Sequence, residues 1–238
     1  MGKNKRHPVV VWGRRGLAAL VFVFLVPVVL VPLYWVVKPI SVPMAWRYLT
    51  GQNVSRTWVD IDQVSDRLKV SVMLSEDGQF CRHWGVDIRA LQIEIEAVLD
   101  GRPARGASTL SMQLARNLFL WNGRSFIRKG LEIPLAFYLD LVLSKRRIME
   151  IYLNIAEWGP DGEFGIEAGV QKAFGVDGDA LSWRRATLMA VALPNPLVRL
   201  PATPSPGLVR VARRVEQRAK QYSDRAWCLF ENGVPELD

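Results

Sequence analysis

A carboxylate pair, Glu76 and Asp77, stands where a helical sequence pattern breaks at Gly78. A carboxylate at a helix end beside a cleft is partly desolvated, which raises its pKa and suits it to general acid or base catalysis. The alternative is a solvated helix end, which is the more common setting for adjacent acidic residues. Glu76 is therefore a candidate catalytic residue that needs support from other segments.

A second segment, RGASTLSMQLARNLFL at residues 105–120, places a glycine beside a predicted helix N-terminus. Free backbone N–H groups at such a position attract anions. Gln113 and Arg116 are spaced by three and share one helix face, opposite a leucine stripe. A capped amphipathic helix with solvated polar residues explains the same pattern, and this segment alone does not exclude it.

A third segment, GRSFIRKGLE at residues 123–132, spaces Arg124, Arg128 and Glu132 by four, with Lys129 adjacent. One helix face would then present two guanidinium groups and a carboxylate. Ion-paired surface arginines would account for the spacing. The alternative is a site for a pyrophosphate leaving group, whose charge has to be neutralised by several converging cations.

Helices are the elements expected to position these segments. From Ile61 onward apolar residues recur every three or four positions, and Gly78 and Gly101 end two of the series. A basic amphipathic helix is expected from Leu208 to about Tyr222, and Pro134 should kink an earlier helix. No alternating strand and no internal repeat is evident, so the domain should be mainly α. The predicted N-cap residues are Ser108, Ser125, Ser144 and Ser182.

The N-terminal region predicts a membrane anchor. Residues 16–37 contain no charged side chain, and at about 1.5 Å per residue such a run can span a bilayer. A signal peptide is the alternative, but the run is too long and no small-residue cleavage pattern follows it. Basic residues before the run place the N-terminus in the cytoplasm. The expected organisation is a cytoplasmic basic tail (1–15), a transmembrane helix (16–37), a juxtamembrane connector (38–60) and an exported domain (61–238).

The net charge of +8 does not indicate nucleic-acid binding, because five positive charges belong to the cytoplasmic flank. Anionic lipid headgroups or phosphate-bearing substrates are better partners. Cys81 and Cys228 are compatible with a disulfide but do not argue for one. The other histidine besides His83 is His7, on the cytoplasmic side, so no His-rich metal site is expected. His83 is interpreted as a structural residue that forms hydrogen bonds.

The three segments are followed by KRRIMEIYLNIAEWG at 145–159 and ATLMAVALPNP at 186–196. In this order the five motifs resemble the glycosyltransferase family of penicillin-binding proteins. The resemblance covers roughly residues 70–196. It is closest to the monofunctional biosynthetic peptidoglycan transglycosylases, because no transpeptidase sequence follows in this chain.

The resemblance implies a lysozyme-like helical fold with two lobes, next to the membrane, that polymerises lipid II into β-1,4-linked glycan and releases undecaprenyl pyrophosphate. Glu76 matches the general base and Glu132 the residue that assists departure of the pyrophosphate. No cofactor is obligatory, although a divalent metal, Mg or Mn, at the pyrophosphate is compatible with the family. The positions matching substrate-binding residues are the cations Arg116, Arg124, Arg128 and Lys129 and the polar residues Ser108, Gln113 and Asn154.

Ala107, Met112 and Arg116 depart from the common residues of the second motif, but both carboxylates are present. Two other functions are considered. A lytic glycosidase has a similar acidic site but little use for clustered cations. A non-catalytic membrane scaffold would tolerate loss of either carboxylate. The implied location is the bacterial inner membrane, with the domain in the periplasm, lipid-linked glycan and membrane lipids as partners, and cell-division or elongation proteins as candidate protein partners.

Overall fold

A computed structural model describes residues 25–102, 106–123 and 125–237 of the chain. The described part is mainly helical, as the sequence predicts. Two short 3-10 helices, Ile61–Gln63 and Ser223–Leu229, accompany the α-helices. In chain order the α-helices are α1 Val42–Leu49, α2 Asp66–Glu76, α3 Ile88–Leu99, α4 Leu110–Phe119, α5 Phe126–Val142, α6 Lys145–Ile155, α7 Ile166–Phe174, α8 Trp183–Ala192 and α9 Pro206–Gln221.

Three of the four predicted N-cap residues are confirmed. Ser125, Ser144 and Ser182 each accept a hydrogen bond from a backbone N–H in the first turn of α5, α6 and α8. The prediction that Ser108 caps α4 is wrong, because the N-cap is Thr109, whose hydroxyl accepts from the N–H of Met112. Serine and threonine hydroxyls can both cap a helix, so the sequence did not distinguish Ser108 from Thr109. Because Thr109 is the cap, the side chain of Ser108 is free for another contact.

Helix α2 is the central element of the core. Every residue from 68 to 74 is buried, and α2 packs against α8 and α9. A second group is formed by α4, which packs against α5 and α6. Buried residues of both groups belong to one continuous hydrophobic core. Residues at the C-terminal end of α2 therefore lie where the two groups of helices meet.

The structure contains a small sheet that the sequence did not predict. Strand β1, Ser55–Arg56, pairs in parallel with β2, Glu163–Phe164. Two-residue strands are too short to show a period-two pattern. Gly162, just before β2, has φ +88°, and a Cβ at this position would lie 2.1 Å from the carbonyl oxygen of Asn53. Glycine is therefore required for the close approach of the two chain segments.

Residues 38–60, predicted to be a connector, contain helix α1 and strand β1. Met44 of α1 is fully buried, and α1 packs against α4. The N–H of Val59 donates to the Asn154 side chain on α6. This segment is therefore part of the packed domain, and the connector interpretation is corrected. The segment is attached through backbone hydrogen bonds and a few buried side chains. Such contacts produce no apolar periodicity in the sequence, so the sequence did not reveal them.

Residues 1–24, which include the basic tail and the first part of the predicted membrane span, lie outside the described residues. Residues 25–33 are helical. Among the described residues, no helix has both the length and the apolar character needed to cross a bilayer. Arg147 on α6 donates to the carbonyls of Tyr34 and Val37. The chain that follows the helical segment is thereby attached to the domain.

A disulfide joins Cys81, in the loop after α2, to Cys228, in the second 3-10 helix. The sequence alone left this pairing open. The link connects the loop next to the carboxylate pair with the C-terminal part of the described chain, 147 residues later.

Candidate active site

Glu76 lies at the C-terminal end of α2 and is partly buried. The side-chain amide of Gln113 donates to Glu76 Oε2 at 3.1 Å, and the Ser75 hydroxyl lies 3.5 Å from Oε1. Burial raises the pKa of Glu76, and these two hydrogen bonds and the charges of Arg199 and Arg116 oppose the rise. The result is a carboxylate that accepts a proton more readily than an exposed glutamate, as a general base requires.

Gln113 is held in one orientation by a buried tyrosine. The hydroxyl of Tyr152 on α6 donates to Gln113 Oε1 at 3.0 Å. Tyr152 is 2% exposed, and burial raises its pKa well above the ordinary value, so the phenol remains a donor. Because the amide oxygen is occupied, its NH2 group faces Glu76. Tyr152 thus packs in the core and also orients a residue of the site.

The adjacent carboxylate, Asp77, has a structural role. Asp77 caps the C-terminus of α2, and its carboxylate accepts from His83 Nε2 at 2.9 Å and from the N–H of Leu110 at 3.0 Å. The second bond connects the end of α2 to the start of α4. His83 is therefore a structural partner of Asp77, in agreement with the sequence interpretation.

Arg128, Lys129 and Glu132 form a compact cluster on α5. Arg128 Nη1 donates to Glu132 Oε1, and Lys129 Nζ donates to Glu132 Oε2 at 3.0 Å. Glu132 is 2% exposed, so its charge is compensated almost entirely by these two cations. Burial, followed by the charges of Arg116 and Arg128, lowers the pKa of Lys129 to about 8. Lys129 also donates to the hydroxyl of Ser108.

Two cavities adjoin Glu76 and its partner Gln113. One of about 220 Å³ is lined by Glu76, Ser108 and Arg218, among others. The other, of about 300 Å³, is lined by Gln113 and Arg116. Gln113 contacts Glu76 as well, so it stands between the two cavities. Nε of Arg116 is buried and has no hydrogen-bond partner within the described residues.

The structure places seven of the nine predicted site residues around Glu76 and the α5 cluster, and the exceptions are Asn154 and Arg124. Asn154 is fully buried, and its amide bonds the backbone N–H and C=O of Val59 and the carbonyl of Glu150. It attaches the segment before α2 to α6 and lines neither of these two cavities, so the geometry does not support its predicted contact with substrate. Arg124 lies outside the described residues.

Sequence reasoning missed two arginines beside Glu76. The charge of Arg199, in the loop after α8, lowers the pKa of Glu76. Arg218 of α9 lines the cavity of Glu76, and a Cβ on Gly78 would lie 2.6 Å from its Nη2. The charge of the C-terminal helix was visible in the sequence, but the packing of α9 against α2 decides which arginines face the site.

The side chains of the site offer few ligands for a metal ion. Within the described residues, no group of three or more histidine, cysteine, aspartate or glutamate side chains is placed to hold one. Both oxygens of Glu132 are bonded to cations. A divalent metal at Glu132 would have to displace one of these partners, so the residues present fit a metal poorly.

Comparisons with known proteins agree with this arrangement. The family model described as Transglycosylase matches residues 44–225. A biosynthetic peptidoglycan transglycosylase of Agrobacterium fabrum is 48% identical over 220 residues, which cover 92% of this chain and 97% of that protein. The protein of the same name from Brucella suis is 49% identical over 92% of this chain and 99% of its own length. The one from Nitrobacter hamburgensis is 50% identical over 90% of this chain and 95% of its own length. The chain belongs to the transglycosylase family.

Proposed function

We propose that this protein is a peptidoglycan glycosyltransferase that polymerises lipid II into β-1,4-linked glycan strands for the bacterial cell wall. One observation supports this function above the others. The partly buried base Glu76 shares a cavity with Ser108, and Ser108 is bonded to Lys129 of the cation cluster. A base for a sugar hydroxyl and a site for a phosphate leaving group are thus adjacent. The names of the close relatives point to the same activity.

In the proposed reaction, Glu76 removes the proton from the 4-hydroxyl of the acceptor sugar. The hydroxyl oxygen attacks the anomeric carbon of the donor, and the bond from that carbon to the pyrophosphate oxygen breaks. The electron pair leaves with undecaprenyl pyrophosphate, and the α linkage is inverted to β. The pKa of Glu76, raised by burial, increases its strength as a base for this step. Gln113 holds the carboxylate in position.

The leaving pyrophosphate would be bound by cations of α4 and α5. Arg116 lines a cavity, and its buried Nε has no hydrogen-bond partner among the described residues. Arg128 and Lys129 are paired with Glu132, which keeps them in place before substrate arrives. A pyrophosphate can compete for these cations, and their charge stabilises the negative charge that develops as the bond breaks. Glu132 then acts on the leaving-group side, and Arg124 is proposed to contribute a further positive charge.

We propose that a divalent metal is not obligatory, because the cations that would neutralise the pyrophosphate are already supplied by side chains. Polymerisation should therefore continue in the presence of a chelator.

The proposed setting is the inner membrane, with the N-terminus in the cytoplasm and the domain outside. The uncharged run of residues 16–37 and the preceding basic residues support this topology. The exposed apolar residues near the end of this run, including Trp35 and Val36, suit an interface with lipid. The two groups of helices around α2 and α4 are compatible with a lysozyme-like, two-lobed fold. Lipid II, membrane lipids and cell-division or elongation proteins remain the proposed partners.

A lytic glycosidase is the alternative with a similar acidic residue. Hydrolysis of a neutral glycosidic bond does not require the cluster of Arg116, Arg128 and Lys129. A transferase that expels pyrophosphate does require such charges. The cation cluster therefore favours polymerisation.

The test uses the full-length protein in detergent with fluorescent lipid II. We expect long, lysozyme-sensitive polymer from the wild type, and a loss of turnover on the order of a hundredfold or more for Glu76→Gln with binding of lipid II retained. Glu96→Gln removes an exposed carboxylate from α3 and is the matched control. Release of fragments from purified sacculi without polymer formation would contradict the proposal, as would a Glu76→Gln variant that retains most activity.

A further inference from the structure

A large cavity with several cationic side chains lies outside the site described above. It has a volume of about 600 Å³ and is formed by the loop after α8 and the first turns of α9. Its cations are Arg199, Arg210 and Arg214. Its apolar lining includes Val198, Leu200, Leu208 and Val211. A volume of this size accommodates a ligand as large as a short peptide.

Two of these three arginines have no counter-charge among the described residues. Neither Arg210 nor Arg214 has an ion-pair or hydrogen-bond partner in that part of the chain. Arg199 donates to the carbonyl of Val191, which fixes its guanidinium, and its charge acts on Glu76. Two guanidinium groups without a counter-charge at one cavity favour an anionic ligand.

Helix α9 contributes arginines to both this cavity and the cavity of Glu76. Arg210, Arg214 and Arg218 are spaced by four and so lie along one face of the helix. The first two line the large cavity, and Arg218 lines the cavity of Glu76. The charge of Arg199 also reaches Glu76. A substrate that occupies the catalytic cavity can therefore extend along this face into the large one.

We propose that this cavity binds the peptide stem of the substrate through its carboxylates. The inference rests on the proposed function. The sugar backbone of the glycan is neutral, and the pyrophosphate is assigned to cations of α4 and α5. The carboxylates of the peptide stem are the remaining anionic groups of the substrate. The apolar lining suits the alanyl methyl groups of a peptide better than it suits a sugar.

Anionic lipid headgroups are a different ligand for the same arginines, but the position of the cavity argues against them. The described residues 25–37 contact Tyr138, Val142 and Arg147, on α5 and α6. None of these residues lines the large cavity, which is built from α9 and the loop before it. The cavity is therefore assigned to the substrate and not to the membrane surface.

The experiment compares lipid II with a derivative in which the stem carboxylates are amidated, using the full-length protein. We expect the wild type to have a KM about tenfold lower for the carboxylate form, with a similar kcat for both. The double variant Arg210→Gln/Arg214→Gln should lose this preference by a rise in KM for the carboxylate form alone. Arg210→Lys/Arg214→Lys keeps both charges and should retain most of the preference. Arg213→Gln is the matched control, because Arg213 lies on α9 but lines a different cavity.

Equal KM values of the wild type for the two substrates would overturn the inference while leaving the proposed function intact. Failure of the wild type to polymerise either substrate would instead contradict the proposed function. The variants are also tested for binding to phosphatidylglycerol and phosphatidylcholine vesicles. Loss of phosphatidylglycerol binding with an unchanged preference between substrates would identify a lipid site and overturn the assignment to the stem.

Discussion

Among single residues, the two candidate catalytic carboxylates differ most in what surrounds them. Glu76 faces a cavity and accepts hydrogen bonds from neutral groups, and burial raises its pKa. Glu132 is buried between Arg128 and Lys129. An uncompensated carboxylate suits proton removal, whereas one paired with two cations keeps those cations in place. The surroundings therefore assign different roles to residues of the same type.

Glu132→Gln tests the second role. The substitution removes the negative charge that competes with pyrophosphate for Arg128 and Lys129, so affinity for a pyrophosphate-bearing ligand should be kept or increased. Turnover should fall because the cations are no longer held in place. Binding of the phosphoglycolipid moenomycin and polymer formation measure the two effects. Arg128→Ala should weaken moenomycin binding, and the role assigned to Glu132 is wrong if its variant loses binding to the same extent.

The pH dependence of kcat/KM should reflect Glu76 and Lys129. Glu76 must be deprotonated, and because its pKa is raised, activity should decrease on acidification at a higher pH than for an ordinary glutamate. The pKa of Lys129 is lowered to about 8, so its ammonium loses its charge above that pH, well below its ordinary 10.5. The value of kcat/KM should therefore decrease at both acidic and alkaline pH. Lys129→Arg should remove the alkaline decrease, and an unchanged alkaline limb in this variant would exclude Lys129 as its source.

Asn154→Ala tests whether Asn154 is structural. The substitution removes three hydrogen bonds to the backbone of Val59 and Glu150 and leaves buried groups unpaired. The free energy of unfolding should decrease by about 3 kcal/mol. The KM of the folded variant for lipid II should change little. Denaturant unfolding and steady-state kinetics measure the two quantities, and a large rise in KM with normal stability would restore the assignment to substrate binding.

At the level of secondary-structure elements, short loops determine how the helices of the site meet. The carbonyl of Gly85 accepts a hydrogen bond from the Thr109 hydroxyl at 2.5 Å, at the start of α4. Asp77 bonds the N–H of Leu110 in the same region. The end of α2 and the start of α4 are thus held together by side chains and backbone groups of the intervening loop. This arrangement brings Gln113 to Glu76.

Gly85→Ala should disrupt this junction. Gly85 has φ +72°, and a Cβ would lie 2.3 Å from the carbonyl oxygen of Ala136 on α5, where backbone cannot easily move. We expect a loss of about 3 kcal/mol or more in the free energy of unfolding. Gly101→Ala is the matched control, because Gly101 has φ +69° with no atom within 4 Å of the added Cβ. Equal losses in the two variants would show that backbone strain alone, and not the contact with α5, is responsible.

At the scale of the whole molecule, the Cys81–Cys228 disulfide links the loop after α2 to the C-terminal 3-10 helix across 147 residues of sequence. Neither cysteine contacts Glu76 or the cation cluster in the described residues. Replacing both by serine should therefore leave turnover nearly unchanged at low temperature. The loss of a long closed loop should lower the free energy of unfolding by about 2 to 4 kcal/mol. Thermal unfolding and polymer formation test this, and a large loss of turnover in the folded variant would mean that the disulfide positions the loop.

The sequence by itself determined the helical class, three helix starts and the family to which the motifs belong. Apolar periodicity, serine caps and short motifs are local, so residues close in sequence are sufficient to reveal them. The pairing of Arg128 with Glu132 follows from a spacing of four on one helix and is in this sense local too.

Only the tertiary structure decided which distant residues meet. The two-residue strands, the attachment of residues 42–60 and the disulfide depend on partners roughly 100 or more residues away, at Glu163, Asn154 and Cys228. Asn154 and Gln113 have similar side chains, yet one is sealed in the core and the other reaches Glu76. The packing of the helices decides this difference. A polar side chain that is enclosed by its neighbours must form hydrogen bonds with the backbone, whereas one that lines a cavity remains free to contact a substrate.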